Sequence, residues 1–191
     1  MSGHFEALPG GGAAVPLDEV EISILRSLAV QLLELIGPGE VPPKGEDPLA
    51  ELFREGPSEP PADPALARLF PDAYGDGDDE LRAASAEFRR YTENDLRARK
   101  REDALAVVRS LDLLDAAGGR GAVLELTADE ARHWVGALND LRLTIGTRLE
   151  VRDDDENEAL YRLPDSDPRK PMVMAYLWLG ALQETLVETL M

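Results

Sequence analysis

The sequence predicts a mainly α-helical fold with a small β element. Three long stretches place leucine, isoleucine and valine three or four residues apart, which is the spacing of a helix with one buried face. Two of them begin with the pattern of a helix N-terminus, and a glycine-rich turn near residue 10 lies between short apolar runs that suit strands. With 191 residues, of which 43% are hydrophobic, the chain can form a substantial core, and we predict a single domain over residues 1–191.

Residues 4–17, "HFEALPGGGAAVPL", are predicted to form two short strands joined by a Pro-Gly-Gly-Gly turn. Glycine supplies the positive φ angles that tight hairpin turns need. Another apolar run, at 121–126, also suits a strand. The β element is therefore an N-terminal hairpin plus this strand, and the two parts can pair with one another.

The first predicted helix follows the hairpin. Asp18 is a good N-cap and Glu21 lies three residues later, which is the pattern of a capping box. Gly37 and Pro38 end the helix. Its buried face is predicted from the apolar residues at helical spacing, which are Val20, Ile24, Leu28, Leu32 and Leu35, widened by Leu25, Ala29 and Ile36.

Residues 121–150 repeat this design at an offset of 109. Thr127 and Glu130 form a second capping-box pattern, and an amphipathic helix follows. An internal strand–helix repeat is one interpretation of this similarity. The other is convergence of two unrelated segments on the same strand-to-helix pattern, and the sequence leaves both open.

A proline-rich acidic loop is predicted at about 38–80. Nine of the 14 prolines lie between Pro38 and Pro71, and residues 40–80 carry twelve acidic residues against three basic ones. Proline cannot continue a helix, so we expect loose order. The motifs "DPLAELF" at 47–53 and "DPALARLF" at 63–70 each place proline at the first position of a short helical turn, and we expect their leucine and phenylalanine side chains to anchor the loop.

Residues 78–116 predict one long helix, or two in line. Leu81, Phe88 and Tyr91 mark one apolar face, and the two aromatic residues are interpreted as core. Residues 93–103 are almost wholly polar and are predicted to be exposed to solvent or to cross a partner. The C-terminal stretch from residue 171 places leucines at helical spacing, which predicts a mostly buried helix that belongs to the core or to a homodimer interface.

Seven basic residues lie between Arg82 and Arg101, in a chain whose formal net charge is -18. The simplest interpretation is a solvated helix face with internal ion pairs. The alternatives are a contact surface for an acidic partner or for nucleic acid, and a surface that the chain's own acidic loops cover. We predict partner binding by five of these residues, named here the basic stripe: Arg89, Arg90, Arg97, Lys100 and Arg101.

Composition excludes several classes of site. The chain has no cysteine, which excludes disulfides, thiolate metal sites and cysteine nucleophiles. It has two histidines, His4 and His133, so a multi-histidine metal centre is hard to build. A general base at His133 is conceivable, but a histidine on a helix is more often structural. We predict no catalytic residue, no metal and no cofactor, and we expect that the protein is not an enzyme.

Charge and hydropathy also bear on location and partners. A net charge of -18 repels the phosphate backbone, which disfavours DNA as a partner without excluding it. The longest apolar stretch, "PMVMAYLWLGAL", is too short to span a bilayer. The N-terminal residues lack the basic and apolar regions of a signal peptide. We therefore expect a cytoplasmic protein with no membrane partner.

Several segments carry a family resemblance: "LRSLAVQLLELIG", "FRRYTENDLRARK", "WVGALNDLRLTIGTRLEV" and "AYLWLGALQETLVETL". They resemble an actinobacterial family of initially unknown function, also named AosR for actinomycete oxidative stress regulator. The most specific pieces are "FRRYTENDLR" and "ALNDLRL", and the resemblance covers nearly the whole chain outside about 38–62. Members of this family are often encoded beside the ClpS adaptor and beside cysteine-synthesis genes with a sulfur-carrier protein.

The resemblance implies a regulator of transcription in the response to oxidants that acts with a sigma factor or RNA polymerase. Without cysteine, the chain cannot sense oxidants through a disulfide of its own. We expect a non-enzymatic regulator that works by protein–protein contact through the basic stripe, and glutamate at Arg90, Arg97 and Arg101 should abolish partner capture with helical content intact. The alternatives are a DNA-binding regulator that uses the same stripe and an adaptor for a Clp-type protease.

Overall fold

Helices account for most of the residues that the structure describes, which confirms the predicted mainly α-helical class. A computed structural model describes residues 3–38, 55–75, 77–116, 121–151 and 160–191. The stretch predicted as one long helix, or two in line, is one continuous helix of 38 residues. Within the described ranges the helices are α1 (Glu19–Ile36), α2 (Pro64–Leu69), α3 (Asp79–Ala116), α4 (Ala128–Arg148) and α5 (Lys170–Leu190).

The β element is a small antiparallel sheet with the strand order β1-β2-β3. Its strands are β1 (Glu6–Ala7), β2 (Ala13–Leu17) and β3 (Ala122–Leu126). Val15 lies opposite Leu124, and Ala13 lies opposite Leu126, so the predicted hairpin and its pairing with the later strand are confirmed. The turn requires glycine, because Gly12 has a φ of 107° and a Cβ atom there would lie 2.3 Å from the carbonyl oxygen of Leu126.

Both predicted capping boxes are present. The Asp18 carboxylate accepts a hydrogen bond from the Glu21 backbone N–H at 2.8 Å, and Glu21 accepts one from the Asp18 N–H at 2.9 Å. Thr127 and Glu130 make the same reciprocal pair at the start of α4. These bonds satisfy N–H groups that the first turn of a helix leaves without partners. Strand followed by capped helix therefore occurs twice in the fold, whether by duplication or by convergence.

The centre of the core lies on α4, which packs against the other four helices named above. Trp134 of α4 is fully buried, and its ring meets the ring of Phe5 edge-on, with the centroids 6.2 Å apart. The C-terminal helix α5 contributes Leu179, Leu182 and Leu186, which are also fully buried. Only one face of α5 is buried, however, because other apolar residues on it, including Leu177, are exposed. No helix among the described residues is both long and apolar enough to cross a membrane.

The buried face of α1 is displaced from the predicted one. Val20 is 64% exposed and Ile24 is also exposed, so these two assignments were wrong. Helical spacing alone allows two overlapping apolar faces, one that includes Val20 and Ile24 and one that includes Leu25 and Ala29. Packing against α3 and α4 buries the face that includes Leu25 and Ala29. The buried residues of α1 are Glu21, Ile22, Leu25, Ala29, Leu32 and Ile36.

One of the two predicted loop anchors lies in the described ranges and is confirmed. Asp63 caps α2 by accepting hydrogen bonds from the backbone N–H groups of Ala65 and Leu66. Leu69 and Phe70 are buried in the core, as the Leu-Phe pattern predicted. The other anchor, at 47–53, lies outside the described residues. The single domain over residues 1–191 stays a prediction.

Candidate functional site on the long helix

The N-terminal half of helix α3 is inverted relative to the usual arrangement, because charged residues face the protein and aromatic residues face solvent, whereas the C-terminal half buries apolar residues such as Val107 and Leu111. Arg89 and Glu93 are 4% and 3% exposed, whereas Phe88 and Tyr91 are 51% and 63% exposed. The interpretation of Phe88 and Tyr91 as core was therefore wrong. The prediction that residues 93–103 are exposed was also wrong in part, since Glu93 and Asp103 are buried.

Arg89 is held by three acceptors. Its Nη2 donates to the carbonyl oxygen of Phe70 at 3.0 Å and to Oδ1 of Asp72 at 2.7 Å, and its Nη1 donates to Glu93. Burial lowers the pKa of Arg89, but the hydrogen bonds with Asp72 and Glu93 outweigh this, and the pKa lies above its ordinary value. The side chain is thus a charged link between α3 and the chain segment after α2.

Arg97 and Arg101 reach the C-terminal end of α1. Arg97 Nη1 donates to the carbonyl oxygen of Ile36 at 2.6 Å, and Arg101 donates to the carbonyl oxygens of Leu33 and Gly37. The last carbonyl groups of a helix carry partial negative charge and mostly lack a backbone donor, although that of Leu33 also accepts from the Gly37 N–H at 3.0 Å. The last turn of α1 has no basic residue of its own, so the two arginines of α3 supply both the donors and the positive charge.

Arg97 also joins the buried carboxylate to the core. Its Nη2 lies 2.7 Å from Oε1 of Glu93, and its guanidinium carbon lies 4.3 Å from the centre of the Phe70 ring. Glu93 therefore receives hydrogen bonds from two arginines, and Arg97 stacks on a buried aromatic face. These contacts fix the rotation of α3 about its own axis.

Two further pairs join α3 to α4. Lys100 Nζ lies 2.6 Å from Oδ1 of Asp140, and Nδ1 of His133 lies 2.7 Å from Oδ1 of Asp103. The helices approach closely here, since a Cβ atom on Gly136 would lie 2.4 Å from Oδ2 of Asp103. Burial raises the pKa of Asp140, and the neighbouring Lys100 lowers it only in part.

The raised pKa of Asp140 predicts a pH effect of known sign. A carboxyl group whose pKa is higher in the folded state than in the unfolded state binds its proton more tightly in the folded protein. Its contribution to stability is fully present below the ordinary pKa of about 4 and is lost as the pH rises through the raised value. Relative to an Asp140→Asn variant, the wild-type protein should lose stability as the pH rises across this window. Urea unfolding of both proteins between pH 4 and 7 measures this, and a constant difference between them would contradict it.

All five residues in the basic stripe thus have a partner within the protein. Arg90 has the weakest contact, because it is half-exposed and its Nε lies 3.6 Å from a carboxylate oxygen of Glu55, which is itself exposed. The structure does not bring the five together as one exposed surface, and partner binding by them stays a prediction. Sequence spacing could not show the acceptors, because Ile36 and Gly37 lie 61 and 64 residues from the arginines that they bind.

The opposite side of α3 carries the apolar face that the sequence predicted, but this face is exposed to solvent and is not part of the core. We name it the outer face, and it consists of Leu81, Ala84, Phe88 and Tyr91. The three larger side chains are exposed, and Ala84 is partly exposed. One signal in the sequence could have indicated that this face is exposed. Arg89, Glu93 and Arg97 follow at intervals of four with alternating charge, so they can pair with one another away from water and let the charged side of the helix be buried.

Comparisons with known proteins show relatives over almost the whole chain. A protein of Mycobacterium bovis named oxidative stress regulator AosR is 33% identical over 177 residues, which is 90% of this chain and 78% of that protein. The Mycobacterium tuberculosis H37Rv protein of the same name gives the same values. A Mycobacterium leprae protein that also carries the name AosR is 34% identical over 185 residues, covering 90% of this chain and 79% of that protein.

No solved structure matches the chain. A family model described as a domain of unknown function, DUF2017, matches residues 2–190. That match takes in both capped halves, the long helix with its buried charges, and the C-terminal helix. The resemblance in the sequence is thereby confirmed, and the chain belongs to the DUF2017 family.

Proposed function

We propose that this protein is a non-enzymatic cytoplasmic regulator of transcription in the oxidative-stress response, and that it acts by contact with a sigma factor or RNA polymerase. The observation that carries the proposal is the similarity, over 90% of the chain, to mycobacterial proteins named oxidative stress regulators. Because this chain has no cysteine, the oxidant signal has to arrive through a partner or through methionine oxidation.

Contact with protein is favoured over contact with DNA on electrostatic grounds. The chain has a formal net charge of -18, and most of the basic stripe is already hydrogen-bonded within the fold. Few of these cations are left to neutralise phosphates, which supply most of the affinity in DNA binding. The exposed outer face of α3 offers apolar area instead, and apolar area suits a protein partner.

Affinity capture from a nuclease-treated lysate of the host, with mass spectrometry of the bound proteins, tests the proposal. We expect a sigma factor or a polymerase subunit to be enriched, and the same contact to form between the purified proteins. Capture should be compared before and after treatment of the cells with peroxide. Enrichment of a Clp chaperone instead, or recovery of DNA only when nuclease is left out, would contradict the proposal and favour an adaptor or a DNA-binding regulator.

A further inference from the structure

The outer face of α3 exposes three large apolar side chains, Leu81, Phe88 and Tyr91, on one side of the helix. We propose that it is a docking surface for a basic amphipathic helix of a protein partner. This inference rests on the proposed function only in taking the partner to be a protein. It concerns a different side of α3 from the basic stripe.

The spacing of the outer face matches a helix–helix contact. Leu81, Ala84, Phe88 and Tyr91 follow at intervals of three, four and three residues, which is the a and d pattern of two successive heptads. They form a line about 15 Å long on one side of α3. Scattered exposed apolar residues are ordinary, but a contiguous line with two aromatic rings marks an interaction site.

The fold prevents α3 from burying this face by rotation. Turning the helix would withdraw Arg97 and Arg101 from the end of α1 and would carry the buried pair of Arg89 and Glu93 into water. A buried ion pair that loses its geometry leaves uncompensated charges away from water, which is strongly unfavourable. The exposure of Phe88 and Tyr91 is therefore imposed by the charged contacts on the inner side of the same helix.

The charges beside the outer face point to a basic occupant. Glu80 lies one turn before Ala84, and Glu87 lies one turn before Tyr91, so both acids border the apolar line. A third acid, Asp95, lies seven residues after Phe88, on the same side of the helix. All three are exposed, and among the described residues none of them forms an ion pair. Lysine or arginine at the flanking positions of a partner helix would meet these carboxylates.

A second copy of the same face does not meet this requirement. In an antiparallel pair of outer faces, Glu80 and Glu87 of one chain would lie against the same acids of the other, and in a parallel pair they would lie opposite Ser85 and Thr92, which supply no positive charge. Like charges placed together across an interface cost free energy and act against association. A helix of opposite charge with apolar residues at heptad spacing satisfies both the apolar line and its acidic border.

A pair of synthetic peptides tests the charge and the site together. Each has about 18 residues, or about five helical turns, with leucine at a and d. One has lysine and the other glutamate at the flanking positions. We expect the lysine peptide to bind the full chain, the glutamate peptide to fail, and the double variant Phe88→Ala/Tyr91→Ala to lose at least about 30-fold in affinity, as for a central aromatic anchor.

The aromatic double variant separates docking from general attraction to an acidic protein, because it keeps every charge. Leu113→Ala is the matched control, since Leu113 is exposed on the same helix away from the outer face, and it should bind as the wild type does. Glu80→Lys/Glu87→Lys should weaken the lysine peptide and reduce the salt dependence of binding. Equal affinity of the lysine peptide for the wild type and the aromatic double variant would overturn the proposal, as would dimerisation through this face.

The same variants keep this inference distinct from the proposed function. If a sigma factor or polymerase is captured but the lysine peptide binds the wild type and Phe88→Ala/Tyr91→Ala equally, the docking surface is wrong and the regulator proposal stands. If the peptides behave as expected but no transcription protein is captured, the docking surface stands and the regulator proposal is wrong. Circular dichroism of each variant confirms folding, which we expect because both aromatic side chains are exposed.

Discussion

The Glu93→Ala variant is expected to unfold with a free energy about 3–5 kcal/mol lower than that of the wild-type protein. The Glu93 carboxylate is 3% exposed and accepts hydrogen bonds from Arg89 and Arg97. Its removal leaves Arg89 buried with only the Phe70 carbonyl and the exposed carboxylate of Asp72. A buried cation that loses its main counter-ion keeps its desolvation cost without compensation, which is why breaking such a pair costs more than forming it gains.

Urea unfolding of the full chain at neutral pH measures this loss. Asp95→Ala is the matched control, because Asp95 is an acid on the same helix two residues away and is exposed. Its removal should change stability by no more than about 0.5 kcal/mol. Glu93→Gln keeps the shape and one acceptor oxygen, so it should fall between the two. If Glu93→Ala cost no more than Asp95→Ala, the buried position of this pair would be refuted.

Local features of the fold could be predicted from sequence because their causes lie within a few residues. Each capping box joins residues three apart, and the hairpin turn follows from consecutive glycines. The α2 turn follows from one Asp-Pro pair whose aspartate accepts from N–H groups two and three residues later. Short-range chemistry of this kind leaves little choice to the backbone.

The orientation of α3 could not be predicted in the same way. Periodicity shows that Leu81, Phe88 and Tyr91 share a face, but it does not show which face is buried when the other one carries charges that pair. The deciding acceptors are carbonyl oxygens at the end of α1 and beside α2, and they are brought near α3 only by the tertiary fold. The usual rule that apolar faces turn inward was overridden by a network of charge-assisted hydrogen bonds.

The double variant Arg97→Glu/Arg101→Glu is expected to lose about 3–6 kcal/mol of stability, since it removes two sets of charged hydrogen bonds of about 1.5–3 kcal/mol each. It also places two negative charges beside the negative end of α1 and beside Glu93. Helical content should fall with it, because α1 loses its external cap and α3 loses its fixed rotation. Circular dichroism at rising urea concentration reports both effects.

Two other arginines of α3, Arg90 and Arg99, provide the contrast that makes this result specific. Arg90→Glu/Arg99→Glu introduces the same charge change into the same helix, at a half-exposed and an exposed position. It should cost no more than about 1 kcal/mol. Glutamate at Arg90, Arg97 and Arg101 together, which the sequence alone suggested as a test of partner binding, would therefore lose partner capture by unfolding, whatever surface the partner uses. If Arg97→Glu/Arg101→Glu destabilised the protein no more than Arg90→Glu/Arg99→Glu does, the structural role of Arg97 and Arg101 would be wrong. The basic stripe would then again be a candidate for an open contact surface.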